Sequence, residues 1–186
     1  RKPYTGTLVA TGAEIKAVAT YVFAKTPWQR GVANATFDGF VLALPVKHGV
    51  VEGHAELSAD LAELKRSDSS LRAALALHAA SALSPTVKIA EATFKGGMLD
   101  GVATGYAHRG EAPVFTTYFT ATFVANQLQG EFVEYYSGAE TVWRRIPFAR
   151  GVRDGRSQEF FLDGTVATER NYADGNLHGA MVGYYK

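Results

Sequence analysis

Cysteine is absent from all 186 residues. Disulfide staples, thiolate nucleophiles and cysteine-ligated metals are excluded with it. A surplus of charge is missing too: 19 Lys and Arg against 18 Asp and Glu leave a formal net charge of +1. Binders of nucleic acid normally carry a strong basic excess, so no nucleic-acid partner is expected. No apolar run approaches the roughly 18 residues of a membrane span. The sequence also lacks the phosphate-cradling GxxxxGK[ST] loop, the GxSxG elbow, HExxH and a dinucleotide GxGxxG. No catalytic residue, cofactor or metal is expected, and the chain reads as a non-enzyme. It begins at Arg1 without Met, as expected of a chain whose leader or tag was trimmed. That favours the periplasm or cell envelope, with the cytoplasm as the alternative.

What is present is ordinary globular material, 47% hydrophobic and 20% charged, which argues against wholesale disorder. Its organisation is repetitive. Phe148 is followed by Gly151, Gly155 and the pair Phe160-Phe161. At the same intervals, Tyr172 is followed by Gly175, Gly179 and Tyr184-Tyr185. A third copy runs from Phe123 through Asn126 and Gly130 to Tyr135-Tyr136. Asn126 replaces the first glycine, and Asn is the next most tolerant residue for a left-handed backbone. A fourth runs from Phe94 through Gly97 and Gly101 to Tyr106. Fainter copies are VKHGVVEG, from Val46 to Gly53, and WQRGVANA, from Trp28 to Ala35. A period in the twenties denotes stacked supersecondary units.

Each unit reads as a hairpin of two short strands. Aromatic and alternating polar residues mark EFVEYY and SQEFF as strands. Ser137-Gly138 and Asp163-Gly164 mark turns. The glycine pairs Gly97/Gly101, Gly151/Gly155 and Gly175/Gly179, with Gly130 in the Asn126 copy, join one hairpin to the next. The fold expected is mainly β, an antiparallel meander forming a single domain. Faint repeats cover 4–56 and clear repeats 94–186. Tyr106, Tyr135, Phe160 and Tyr184 are expected to form an aromatic column on one face, mostly as core. Arg145 and Glu169 are expected to face each other as a surface pair, worth about 0–1 kcal/mol.

Residues 58–84 break the pattern. Ser58 can cap a first helical turn, with Leu61 and Leu64 on one side. Ser69 or Ser70 can cap a second, ahead of Leu71, Leu75, Ala79 and Ala82, and Pro85 ends it. One or two helices inserted here are expected to pack on one sheet face and leave the other free.

Of the five histidines, His48 and His178 read as polar turn residues and His78 as a solvent-facing or satisfied helix residue. Neither these nor His54 and His108 sits in a convincing metal pair with a carboxylate. The sequon Asn34-Ala35-Thr36 is the kind of match that arises by chance. The strongest charge feature is Arg144, Arg145, Arg150, Arg153 and Arg156, with Asp154 the nearby acid. It reads either as a solvated edge or as a docking patch for an acidic protein surface or anionic lipid.

The spacing aromatic-x-x-Gly-x-x-x-Gly with a following aromatic pair resembles the MORN repeat, and more closely its bacterial variant. YADGNLHGAMVGYY and FARGVRDGRSQEFFLDG carry the resemblance, and KPYTGTL at 2–8 is similar to how such bacterial chains begin. The clear match spans Phe123 to Tyr185. The resemblance implies hairpin sheets without chemistry of their own. Bacterial members are often immunity or antitoxin proteins, and eukaryotic ones are linked to membrane attachment and scaffolding. The expectation is therefore a module that neutralises a cognate toxin or effector, encoded nearby, by direct binding. Arg144, Arg145, Arg150, Arg153, Arg156, Tyr135, Phe160 and Tyr184 are its candidate contacts. The alternative is a scaffold that meets anionic headgroups through the basic patch or a lipid anchor.

Overall fold

The computed structural model describes residues 3–11, 14–15, 39–60, 86–107, 116–136 and 138–186. All fifteen strands among them join one antiparallel sheet. They are β1 (Gly6–Thr11), β2 (Phe40–Lys47), β3 (Val50–Val51), β4 (Gly53–Asp60), β5 (Thr86–Lys95), β6 (Met98–Ala107), β7 (Thr116–Val124), β8 (Gln127–Leu128), β9 (Gly130–Tyr135), β10 (Val142–Ala149), β11 (Val152–Arg153), β12 (Gly155–Phe160), β13 (Val166–Ala173), β14 (Asn176–Leu177) and β15 (Val182–Gly183). The order β1-β2-β4-β5-β6-β7-β9-β10-β12-β13-β14 follows the chain, so the sheet is the meander expected.

The expected helix lies outside the described residues from 61 to 84, as does WQRGVANA, and so does the proposed covering of one face. Residues 58–60 are not helical. Ser58 and Ala59 continue β4, opposite Val41 and Phe40 on one side and Lys88 and Val87 on the other. Two ladders and the burial of Ala59 outweigh a local capping preference there.

Each unit has the same construction. Five two-residue turns close the hairpins: His48-Gly49, Gly96-Gly97, Ala125-Asn126, Arg150-Gly151 and Asp174-Gly175. Both residues of each turn have positive φ, for example 50° at Arg150 and 82° at Gly151. Such turns match the right-handed twist of the flanking strands. The first glycine of each pair therefore forms the hairpin tip. The second starts the return strand proper, where the chain bends away. Gly155, with φ 107°, stands directly opposite Tyr172 of the next unit. Gly53 likewise faces Phe94, Gly101 faces Phe123, and Gly130 faces Phe148. This pairing ties the aromatic of one unit to the second glycine of the unit before it.

The turns are also stitched together. Gly97 N donates to Val51 O, Asn126 N to Leu99 O, Gly151 N to Leu128 O and Gly175 N to Arg153 O, at 2.8–2.9 Å. At three junctions the residue before the second glycine adds a side-chain bond to the next tip. Glu52 accepts from Gly96 N at 2.7 Å, Asp100 from Ala125 N at 3.2 Å and Gln129 from Arg150 N at 3.0 Å. At the start of the sheet, Gly49 N donates to Tyr4 O and His48 N to Thr5 Oγ1, which makes Tyr4-Thr5-Gly6 the return half of a unit.

The core lies on one face. Leu44, Ala55, Phe94, Leu99, Ala103, Ala121, Phe123, Leu128, Phe132, Ile146 and Phe148 form one buried cluster. Ala10, Ile15, Phe40 and Ala59 form a second. The core aromatics are thus mainly the single leading residues of the units. The paired aromatics expected in the core are not there: Tyr135, Tyr136, Phe160 and Phe161 are half-buried, Tyr184 is exposed, and Tyr185 is fully exposed. They sit at the strand ends away from the glycine turns, where tyrosine hydroxyls such as those of Tyr136 and Tyr106 find polar partners. Tyr136 donates to Phe160 O at 2.6 Å, and Tyr106 to Glu91 at 2.6 Å.

Two glycines of one conformational class separate strain from crowding. A Cβ on Gly155 would lie 3.2 Å from Pro147 Cγ, whereas one on Gly130 (φ 87°) would meet nothing within 4 Å. Gly155→Val is expected to cost roughly 2–4 kcal/mol and Gly130→Ala about 1 kcal/mol, read from urea unfolding. Equal costs would show that neighbour contact plays no part.

Candidate functional site

The face opposite the core carries one continuous row that is polar except at Val133. Glu56, Glu91, Thr104, Thr120, Val133, Arg145, Gln158 and Glu169 stand directly opposite one another from β4 to β13. Two charged clusters mark its ends.

At the first end, Glu56 and Glu91 are cross-strand partners, an arrangement of like charges that is unfavourable alone. Lys88 offsets it by reaching both carboxylates, at 3.0 Å from Glu56 and 2.8 Å from Glu91. A bulge between Leu57 and Ser58 in this pairing brings Lys88 to that side. The Lys88 ammonium is held well above its ordinary range by hydrogen bonds to Glu91 and then Glu56. Glu91 is held below the usual carboxylate range by hydrogen bonds from Lys88 and then Tyr106. The Tyr106 phenol is raised by its bond to Glu91. His54 Nε2 lies 3.3 Å from Glu91 Oε2.

His54, Glu56 and Glu91 place one ligand atom each within 4.8 Å of one another, so their donors could hold a divalent cation. Lys88 already brings a positive charge to both carboxylates. Sequence reasoning missed this cluster. The signal was His54-x-Glu56, two residues on one side of a strand; Glu91 comes from the neighbouring strand, across the long 61–85 segment.

At the second end, Glu169 accepts from Gln158 at 2.9 Å and pairs with Arg156. Tyr184 approaches Glu169 at 3.4 Å. The Glu169 carboxyl is lowered, first by the Gln158 bond and also by Arg156. Arg145 pairs with Glu131 at 3.2 Å. The expected Arg145–Glu169 contact is not made. Both residues lie in the same row, but β12 runs between their strands and Gln158 stands between them.

The five arginines are distributed. Arg145 and Arg156 lie on the polar face. Arg150 is in a turn, where its N–H bonds Gln129. Arg153 is opposite Phe148 on the core side, its guanidinium 5.3 Å from the Tyr172 ring centroid. Arg144 is also on the core side, bonded to Glu134, which is 5% exposed, and 4.5 Å from the Trp143 centroid. Beyond it, Arg170 pairs with Glu159 at 2.7 Å. The core-side row Leu57, Ala90, Gly105, Phe119, Glu134, Arg144, Glu159 thus changes from apolar to charged at β9. Of the aromatic candidates, Tyr184 joins the Glu169 cluster, and Tyr135 and Phe160 are half-buried at strand ends.

Arg144 is therefore not an exposed charge free of structural duty. Removing it strands the buried Glu134 carboxylate. Arg144→Ala is expected to cost about 2–4 kcal/mol, below the fully buried case because the guanidinium keeps some water. Arg145→Ala should stay within about 1 kcal/mol. Urea unfolding of the two variants checks the difference.

Glu91 has a depressed folded pKa, so its contribution is present above the ordinary carboxylate pKa. That contribution is lost as pH falls through the lowered value. The unfolding midpoint should fall on acidification below about pH 4, and Glu91→Gln should flatten that limb. An unchanged acid limb in Glu91→Gln would refute the assignment.

Comparison with known proteins gives no match: no family model, no curated protein and no solved structure matches this chain. The functional reading rests on the repeat and on the geometry of its two faces.

Proposed function

We propose that the chain is a non-catalytic protein-binding module of the immunity or antitoxin kind, which neutralises a toxin or secreted effector by direct contact. The observation that carries the reading is the polar row on the face opposite the core. It crosses at least eight strands in register, from Glu56 to Glu169. Towards both ends of the row the side chains are held by hydrogen bonds and ion pairs before any partner arrives. A preorganised surface loses little side-chain entropy on association. Fixed charges of both signs give orientation and rejection of wrong partners more than raw affinity. Aromatic and arginine anchors stand beside it in Tyr106, Tyr184, Arg145 and Arg156, residue types enriched where binding energy concentrates.

The identity of the partner as a toxin or effector rests on the resemblance to bacterial MORN-type chains. The membrane reading gains no specific support. Arg144, Arg145 and Arg156 are each paired with a glutamate, and Arg150 and Arg153 lie apart from them on the turn edge and the core side. No helix among the described residues is long and apolar enough to cross a membrane.

Co-purification with the products of neighbouring genes tests the reading. A stoichiometric complex is expected, weakened by Arg145→Glu with Arg156→Glu and accompanied by no turnover of the partner. Flotation with anionic vesicles and no protein complex would replace the module with a membrane scaffold.

A further inference from the structure

Three donor groups on the polar face converge on a point that already holds a cationic group. His54 and Glu56 are two apart on β4 and so share a face. Glu91 on β5 stands directly opposite Glu56. One ligand atom from each of the three lies within 4.8 Å of the other two. A hydroxyl holds the outer oxygen of each carboxylate. Tyr106 donates to Glu91 Oε1 at 2.6 Å, and Ser58 donates to Glu56 Oε1 at 3.1 Å. Both Oε2 atoms are left facing a common centre. Lys88 Nζ sits there, 2.8 Å from Glu91 Oε2 and 3.0 Å from Glu56 Oε2. His54 Nε2 adds a third donor, 3.3 Å from Glu91 Oε2.

Outer hydrogen bonds of this kind orient the carboxylates of metal sites. Zinc takes imidazole nitrogen and carboxylate oxygen at about 2.0–2.2 Å, so two such donors on a tetrahedral centre lie roughly 3.3–3.6 Å apart. The His54–Glu91 separation falls at that spacing. Charge favours the same occupant. Two carboxylates against one ammonium leave the cluster with a surplus negative charge, and a divalent ion in place of the ammonium balances it. Lys88 can withdraw, because its side chain is 40% exposed and its stem is flexible. His54 is more than half exposed, so an ion can reach it.

The geometry points to His54 Nε2, Glu56 Oε2 and Glu91 Oε2 as a site for one zinc-class divalent ion, which takes the place of the Lys88 ammonium. The imidazole selects such an ion over magnesium and calcium, which prefer oxygen donors. Three protein ligands leave a fourth position for water. The bound ion ties β4 to β5 across the long 61–85 connection, a cross-strand link in a chain without cysteine. The site stands whether or not the chain binds a protein partner.

The test is a titration of the full chain, free of any affinity tag and stripped with chelator, with zinc chloride against a chromophoric chelator. One equivalent should bind, excess magnesium or calcium should not displace it, and the unfolding midpoint should rise with zinc. His54→Ala and Glu91→Gln should each weaken binding at least about tenfold and abolish that rise. Lys88→Met should tighten binding at least about tenfold by removing the competing cation. His178→Ala, outside the cluster, should change nothing. His54 is exposed enough for its alanine variant to keep the fold, and the metal-free unfolding midpoint verifies this. No binding by the parent overturns the assignment. Binding by Lys88→Met alone overturns it too, because Lys88 would then be the permanent occupant. Binding to the parent that survives both His54→Ala and Glu91→Gln would be an adventitious ion only, and would likewise overturn it.

Discussion

The structure depends on a backbone hydrogen bond from each hairpin tip to the return strand before it. Gly97, Asn126, Gly151 and Gly175 make it in turn. It forms only if the tip is a two-residue turn with both residues left-handed, which orients the outward N–H toward its neighbour. It also needs the chain to bend after the short strands β3, β8 and β11, which the second glycine allows. Once these conditions hold, the register of the next unit is set. Its aromatic falls opposite the previous second glycine, and its alternation places every second side chain on the core face. A one-residue slip would reverse both faces. Glu52, Asp100 and Gln129 reinforce the junction from the side chain, so backbone and sequence specify the same register.

This explains an irregular period in a regular sheet. The turn residues Gly49, Gly97, Asn126, Gly151 and Gly175 are 48, 29, 25 and 24 positions apart, yet each junction is built alike. The difference in length falls at the other ends of the strands. There the connections 12–39, 61–85, 108–115, 136–141 and 161–165 separate the paired strands. One edge is constrained by the tip-to-tip ladder. The other tolerates insertion, because a connection there need only return the chain to the next strand. Loop closure adds little cost as length grows.

Much of this was legible in the sequence. The spacing of Phe148, Gly151 and Gly155 against Tyr172, Gly175 and Gly179 gave an antiparallel meander, and VKHGVVEG proved a full unit despite its valine. The role of the two glycines was less legible. Spacing alone does not tell a hairpin tip from a connector, and the first glycine is the tip. The aromatic pairs misled because repetition marks equivalent places, not buried ones. Tyr135 and Phe160 repeat at strand ends, while Phe94, Phe123 and Phe148 fill the core. The arginine run misled for a related reason. Neighbours in sequence alternate faces on a strand, so Arg144 and Arg145 share no surface. The polar row was hidden because its members come from successive strands and meet only when the register is known. A weaker signal was readable: Glu52, Asp100, Gln129, Asp154 and His178 each precede a second glycine, and three of them bond the next tip.

The two faces then divide the work. On the core side, the charged stretch Glu134, Arg144, Glu159 and Arg170 continues the same rows that are apolar in the first half of the sheet. The final units thus have little apolar surface with which to hold themselves, and they depend on ion pairs and the tip ladder. Arg153 and Ser157 replace the leucine and alanine of earlier units at equivalent places. A sheet whose core thins toward one end ends in strands of two residues with exposed Leu177, Val182 and Tyr184. An unblunted edge of that kind is a liability unless something covers it. The charges used to protect sheet edges are turned inward or paired here: Arg156 on Glu169, Arg170 on Glu159, and Lys186 on Asp163 at 2.8 Å. Among the described residues, no lysine or arginine lies over the outward backbone groups and apolar side chains of β14 and β15.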